Sequence, residues 1–163
     1  MFRRQNKIPS AEEILAAQPL PASLQKIKRE RDELCKDVIA GRTDKLLVVI
    51  GPCSAHEKAP VLEYVRRLGA LNEKVKEKLV LVPRIYTNKP RSKGVGYKGM
   101  FSQPDPEEKE DIVKGIRTIR ELHLQAIELS GLTAADEMLY PENYAYMEDL
   151  LTYVAVGARS SEN

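Results

Sequence analysis

Two short apolar runs do most to restrict what this chain can become. Residues 45–50 read Lys-Leu-Leu-Val-Val-Ile between Asp44 and Gly51-Pro52, and residues 79–86 read Leu-Val-Leu-Val-Pro-Arg-Ile-Tyr. Runs this brief, rich in branched residues and bounded by turn formers, predict strands buried on both faces, the habit of parallel sheets. Between them, residues 59–78 set Leu62, Val65, Leu68, Leu71 and Val75 at helical spacing. A helix there returns the chain from the end of one strand to the start of the next, as parallel pairing requires.

The unit recurs. A longer helix is predicted over residues 107–129, with Ile112, Ile116, Ile119, Leu122, Ala126 and Leu129 inward and Ser130-Gly131 as its stop. A weaker strand follows over 133–137, a short helix over 141–151 and a fourth strand over 152–156. Ahead of the first strand, Pro9-Ser10-Ala11-Glu12-Glu13 opens a short helix that ends before Pro19. A second helix over 23–40 carries Leu24, Ile27, Leu34 and Val38 on one side and stops at Gly41. The expected organisation is a helical amino-terminal extension over residues 1–44 and an α/β unit over residues 45–163. Alternating strands and helices wind into an open sheet or close into a barrel. A barrel normally takes eight strands and about 250 residues, so four strands make either a small open domain or half of something larger.

Composition narrows the function classes. With 163 residues, 42% apolar and 31% charged, the chain can bury one ordinary core. The formal net charge is +2, and basic and acidic residues alternate, as in Lys26-Ile27-Lys28-Arg29-Glu30-Arg31-Asp32-Glu33; that pattern is a solvated helix face, not a nucleic-acid surface. Cys35 and Cys53 are too few for a disulfide framework, and Met1-Phe2-Arg3-Arg4 leads into polar residues, unlike a secretory signal. A reducing cytoplasm is the expected setting. No apolar run approaches the ~20 residues of a membrane span.

The residues with chemical potential fall at or just past strand ends: Cys53, then Arg84 with Lys89-Pro90-Arg91-Ser92, then Glu137, then Arg159. In a parallel barrel all four places surround one opening. A guanidinium inside an apolar strand is costly unless an anion or carboxylate meets it, so Arg84 faces either a bound anion or an internal partner such as Glu137. Pro83 beside it removes a ladder donor and loosens the strand towards a site. Arg159 lies in Gly157-Ala158-Arg159-Ser160-Ser161, where small residues let backbone amides and a forked cation approach a phosphate together. The connection over residues 87–106 holds three glycines, three prolines and four cationic side chains, Lys89, Arg91, Lys93 and Lys98. Cations from separate segments point to small substrates with several phosphate or carboxylate groups. Cys53 is either a metal ligand or nucleophile at the opening, or a small packed residue. Cys35 belongs to the core, and His56 and His123 are structural or exposed. No dinucleotide fingerprint or Walker loop is present.

The combination is more specific than its parts. Leu46-Leu47-Val48-Val49-Ile50-Gly51-Pro52-Cys53-Ser54, Arg84-Ile85-Tyr86 leading to Lys89-Pro90-Arg91-Ser92, Gly94-Val95-Gly96-Tyr97-Lys98-Gly99, and Gly157-Ala158-Arg159-Ser160 together resemble the class I 3-deoxy-D-arabino-heptulosonate 7-phosphate (DAHP) synthases. The likeness runs from about Ser23 onwards. It implies the condensation of phosphoenolpyruvate with erythrose 4-phosphate, the first step of the shikimate pathway and so of aromatic amino-acid biosynthesis. It further implies the first four βα units of a TIM (β/α)8 barrel, truncated after the fourth strand, behind a helical extension; such a chain would be an inactive fragment by itself. The enzymes use one divalent metal (Mn, Fe, Co or Zn), and the full-length form would be a homo-oligomer.

Carried over by position, Cys53 resembles the thiolate ligand of that metal, whose histidine, glutamate and aspartate partners have no counterpart here. Arg84 and Arg159, the latter with the backbone at Ala158, resemble contacts to phosphoenolpyruvate. Lys89, Pro90, Arg91 and Ser92 resemble the segment that grips erythrose 4-phosphate. Arg84, Lys89 and Arg159 would be the catalytic set. Two rivals stand beside this reading. The related 3-deoxy-D-manno-octulosonate 8-phosphate synthases have a Lys-Ala-Asn-Arg-Ser-Ser type segment where Pro90 stands here, which decides against them. A non-catalytic regulatory module derived from the enzyme would have no need of Cys53, Arg84 and Arg159. Around Tyr140-Pro141-Glu142-Asn143-Tyr144 the chain departs from the enteric members, whose inhibitor pockets are lined near here, so no effector is assigned.

Overall fold

The computed structural model describes residues 7–89 and 96–156. Its elements are α1 (Ala11–Ala17), α2 (Ala22–Ile39), β1 (Leu46–Ile50), α3 (Lys58–Val75), β2 (Leu79–Pro83), α4 (Ile112–Ser130), β3 (Ala135–Met138), a 3₁₀ helix (Pro141–Tyr146) and β4 (Tyr153–Val156). All strand pairs are parallel. Leu46 opposes Leu79 at the start of β1 and β2, and Ile50 opposes Pro83 at their end. Ala135 opposes Tyr153, and Met138 opposes Val156. A single bridge between Arg84 and Ala135 joins the two pairs, where the Ile85 amide donates to the Ala135 carbonyl at 2.9 Å. The strands therefore follow one another in chain order, with their carboxyl ends on the same side.

Local chemistry sets the boundaries. Ser10 caps α1 through a reciprocal pair: its hydroxyl accepts from the Glu13 amide, and the Glu13 carboxylate accepts from the Ser10 amide. Gly41, with φ of +68°, turns the chain out of α2. The helix expected over 107–129 begins only at Ile112, because the Asp111 carboxylate accepts from the Lys114 amide and fixes the start there. Gly131 ends α4 in the left-handed conformation. The span read as a helix over 141–151 is instead a 3₁₀ helix over Pro141–Tyr146.

Each face of the strands has its own cover. On one, Leu68, Leu81 and Leu132 form a cluster with Val48 and Val75, so α3 packs there; α4 lies against α3. The larger core gathers Ile116, Ile119, Leu122 and Ala126 of α4 with Val61 and Val65 of α3. On the other face Val80, Val82 and Ala135 meet Cys35 of α2, flanked by Leu47 and Val49. Arg31 of α2 donates to the Leu81 carbonyl, and the Thr152 hydroxyl, just ahead of β4, donates to Asp32 at 2.7 Å. The amino-terminal helices thus share the core of the α/β part.

The sequence expectation of a first strand buried on both faces does not hold. Leu46 is 67% exposed and Ile50 44% exposed, because β1 pairs among the described residues only with β2. Leu71, Ile112 and Leu129, expected on inner helix faces, are exposed as well. No helix among the described residues is long and apolar enough to cross a membrane.

Candidate functional site

Cys53, Arg84 and Lys89 meet at the carboxyl ends of β1 and β2. The strand register makes this unavoidable: Ile50 and Pro83 are the last paired residues, so the segments beginning at Gly51 and Arg84 leave the sheet side by side. The Arg84 amide donates back to the Ile50 carbonyl at 2.8 Å, and the Ala55 amide to the Tyr86 carbonyl at 2.9 Å. Gly51 permits this approach, since a Cβ there would stand 2.2 Å from the Arg84 carbonyl oxygen.

Arg84 is half-buried and aims inward over this junction. Its Nη2 donates to the Gly51 carbonyl at 2.8 Å and its Nε to the Pro52 carbonyl at 3.2 Å, and the guanidinium lies 5.2 Å from the centroid of Tyr86. Burial, followed by the nearby carboxylate of Glu137, holds the Tyr86 phenol above its usual pKa. No described carboxylate pairs with Arg84, so an ion pair to Glu137 is not what satisfies it. Two carbonyls neutralise no charge, and a guanidinium presents five N–H donors in all. The guanidinium thus has donors to spare for a further partner.

Lys89 reaches across to the other segment. Its Nζ donates to the Cys53 carbonyl at 3.1 Å and lies 3.4 Å from Cys53 Sγ. Cys53 is a free, exposed thiol, whereas Cys35 is free and buried. His56 is exposed and packs edge-on against Tyr97, whose phenol burial pushes up to about 12. Among the described residues no three His, Cys, Asp or Glu side chains converge as a metal site would need. Cys53 could offer one thiolate, and the other ligands are not in this set.

Beside Lys89 opens a cleft of about 530 Å³ whose walls include Ile8, Lys98, Phe101, Tyr140 and Tyr146. Gly115 lets α4, which lends Ile112 and Ile116 to the lining, approach the loop that carries Phe101; a Cβ there would lie 1.9 Å from the Phe101 carbonyl oxygen. The cleft's far wall is tied down by a fully buried Arg120, which charge patterning on α4 did not single out. Arg120 donates to both Asp149 oxygens at 2.7 and 3.0 Å, to the Tyr146 carbonyl at 2.6 Å and to the Gln18 carbonyl at 2.6 Å. Tyr146 in turn donates to the Pro9 carbonyl at 3.0 Å.

Sequence reasoning also passed over Thr87, Asn88 and Asp136, all buried; His123, read as structural or exposed, is buried too. Thr87 and Asn88 follow an apolar strand directly, and Asp136 interrupts Ala134-Ala135 before Met138; a polar residue amid buried positions was the available signal. Glu137, the acid singled out on this strand, contributes its backbone: its carbonyl accepts from Asn88 at 2.9 Å. Pro90, Arg91, Ser92, Lys93, Ala158 and Arg159 lie outside the described residues.

Comparison with known proteins places these features in a family. The family model described as "DAHP synthetase I family" matches residues 19–163. The chain is 38% identical over 152 residues to the Tyr-sensitive phospho-2-dehydro-3-deoxyheptonate aldolase of Salmonella typhimurium, covering 93% of this chain and 42% of that protein. It is 35% identical over 159 residues to the phospho-2-dehydro-3-deoxyheptonate aldolase of Corynebacterium glutamicum, covering 97% and 43%. Among solved structures, the phospho-2-dehydro-3-deoxyheptonate aldolase of Francisella tularensis matches with a TM-score of 0.88 and 30% identity, over 100% of this chain and 47% of that one. The chain thus spans less than half the length of these relatives.

Proposed function

Because this chain belongs to the DAHP synthetase I family, we propose that it supplies the first four βα units, and part of the substrate site, of a synthase that joins phosphoenolpyruvate to erythrose 4-phosphate. The observation that carries this is the meeting of Arg84, Lys89 and Cys53 at one end of parallel strands, with Lys89 Nζ 3.1 Å from the Cys53 carbonyl. Arg84 binds the phosphoenolpyruvate anion, held by the carbonyls of Gly51 and Pro52. Lys89, continued by Pro90, Arg91 and Ser92, holds the phosphate of erythrose 4-phosphate; Arg159 and the backbone at Ala158 complete the phosphoenolpyruvate contacts from the segment after β4.

In this reaction C3 of phosphoenolpyruvate attacks the aldehyde carbon, water adds at C2, and inorganic phosphate leaves. What these residues contribute is charge neutralisation and alignment of two anions that would otherwise repel. Cations held in place favour the bound pair without forming any covalent intermediate. A divalent metal (Mn, Fe, Co or Zn) belongs to the same proposal: Cys53 would give it one thiolate, and it would supply Lewis acidity, with its further ligands drawn from outside the described residues. A homo-oligomer in a reducing cytoplasm completes the picture.

The test is phosphate release by the enzyme of the family's full length that carries this chain, with each substrate omitted in turn. Release should require both substrates. Arg84→Ala should raise the KM for phosphoenolpyruvate by roughly ten- to a hundredfold, the worth of one charged hydrogen-bonding partner. Release independent of erythrose 4-phosphate, or an Arg84→Ala enzyme with unchanged kinetics, would reject the assignment.

A further inference from the structure

A buried carboxylate sits directly beneath the segment that presents Lys89. Asp136 on β3 is fully buried, and its desolvation is offset by three donors: the Thr87 amide at 2.8 Å, the Thr87 hydroxyl at 2.5 Å and the Glu137 amide at 2.7 Å. His123 of α4, also buried, closes the remaining side with Nε2 3.5 Å from Asp136 Oδ2. Both donors of Thr87 are therefore committed to one carboxylate. The next residue is held too, since Asn88 Nδ2 donates to the Glu137 carbonyl at 2.9 Å. From the opposite side the Phe101 amide donates to the Thr87 carbonyl at 3.1 Å, and the Lys89 amide to the Lys98 carbonyl at 3.2 Å. The segment leading to Lys89 is thus held from both sides, at Thr87, at the Asn88 side chain and at the Lys89 amide.

We infer that Asp136 is a positioning residue which, through Thr87, fixes where Lys89 delivers its ammonium group to a phosphorylated substrate. The inference rests on the synthase reading above for the identity of that substrate. Asp136 itself is too deep to touch a ligand, so its effect reaches the site only by holding Thr87 and Asn88. A flexible lysine on a free loop would lose orientation entropy on every binding event; one on a pinned strap loses less. The consequence is selective. Loosening the strap weakens the grip of Lys89 on its phosphate, and leaves Arg84 in place because Arg84 is held separately by Gly51 and Pro52.

The experiment pairs two readouts on Thr87→Val, which removes the hydroxyl donor at nearly constant shape, and Thr87→Ser, which restores it. In the 163-residue chain, amide hydrogen exchange over residues 87–89 should be faster in Thr87→Val than in the parent and return in Thr87→Ser, with α3 unchanged. In the enzyme of full family length, Thr87→Val should raise the KM for erythrose 4-phosphate about tenfold, as losing one hydrogen bond to a charged group does. The KM for phosphoenolpyruvate should move less than about twofold, and Thr87→Ser should recover both. If Thr87→Val does not fold, Asp136→Asn set against Thr87→Ser carries the same readouts. Unchanged exchange at 87–89, equal shifts in both KM values, or no rescue by serine would overturn the inference. If the parent enzyme shows no synthase turnover, the synthase reading fails, and the exchange result alone decides whether Asp136 pins the strap.

Discussion

Cys35 and Cys53 carry the same thiol into opposite surroundings. Cys35 faces the strands from α2, against Val80 and Val82, where burial raises its pKa, while Cys53 stands exposed beside Lys89. Iodoacetamide should therefore label the native chain at Cys53 and spare Cys35, with both labelled in denaturant; peptide mass spectrometry reads the difference. Equal labelling of the native protein would contradict the packing of α2. Arg120 makes a second case. Removing it strands Asp149 and two backbone carbonyls, so Arg120→Ala should cost about 3 kcal/mol in urea unfolding, near the lower bound for a broken buried pair because Asp149 keeps some solvent contact. Cys53, Arg84 and Lys89 were legible in the sequence because sulfur or charge directly after an apolar strand is conspicuous. Arg120 and Asp136 were not, because a charged residue on a helix or in a weak strand reads as solvent-facing until its partner, far away in the chain, is known.

Helices and strands were more legible than their limits. The order of elements followed from apolar spacing, and both glycine stops, Gly41 and Gly131, turn the chain with positive φ as expected. The late start of α4 depended on which of several acids caps it, and the 3₁₀ helix depended on packing around Tyr146 that spacing does not encode. Contact between elements is where glycine becomes irreplaceable. Gly115 is not at a turn; it is where α4 meets the loop ahead of it, with the Phe101 carbonyl in the space of a side chain. Gly115→Ala should force the two apart, costing about 1–3 kcal/mol in thermal or urea unfolding. A variant as stable as the parent would show that the loop gives way freely.

The described chain ends its sheet on two unpaired sides. β1 and β4 each pair with one neighbour only, and Val156 is 66% exposed on the last strand. Open parallel edges with apolar side chains invite association. The 163 residues on their own should therefore show a mass that rises with concentration in light scattering, and Leu46→Lys with Val156→Lys should lower it. Under the synthase proposal they should also release no phosphate from the two substrates, since the relatives they match are more than twice as long. A monodisperse monomer would remove the first expectation, and substrate-dependent turnover the second.

The amino-terminal arm has a different relation to its own sequence. Arg120 and Tyr146 hold it by the carbonyls of Gln18 and Pro9, groups that every amino acid carries. Side chains add to this hold: Ile14 is buried, Leu20 packs against the main core, and the Gln18 side-chain amide donates to the Arg117 carbonyl at 3.2 Å. The arm is thus moored twice, by carbonyls that survive any substitution and by a few side chains that do not, so its other positions, Ile8 beside the cleft among them, can change without the arm coming loose.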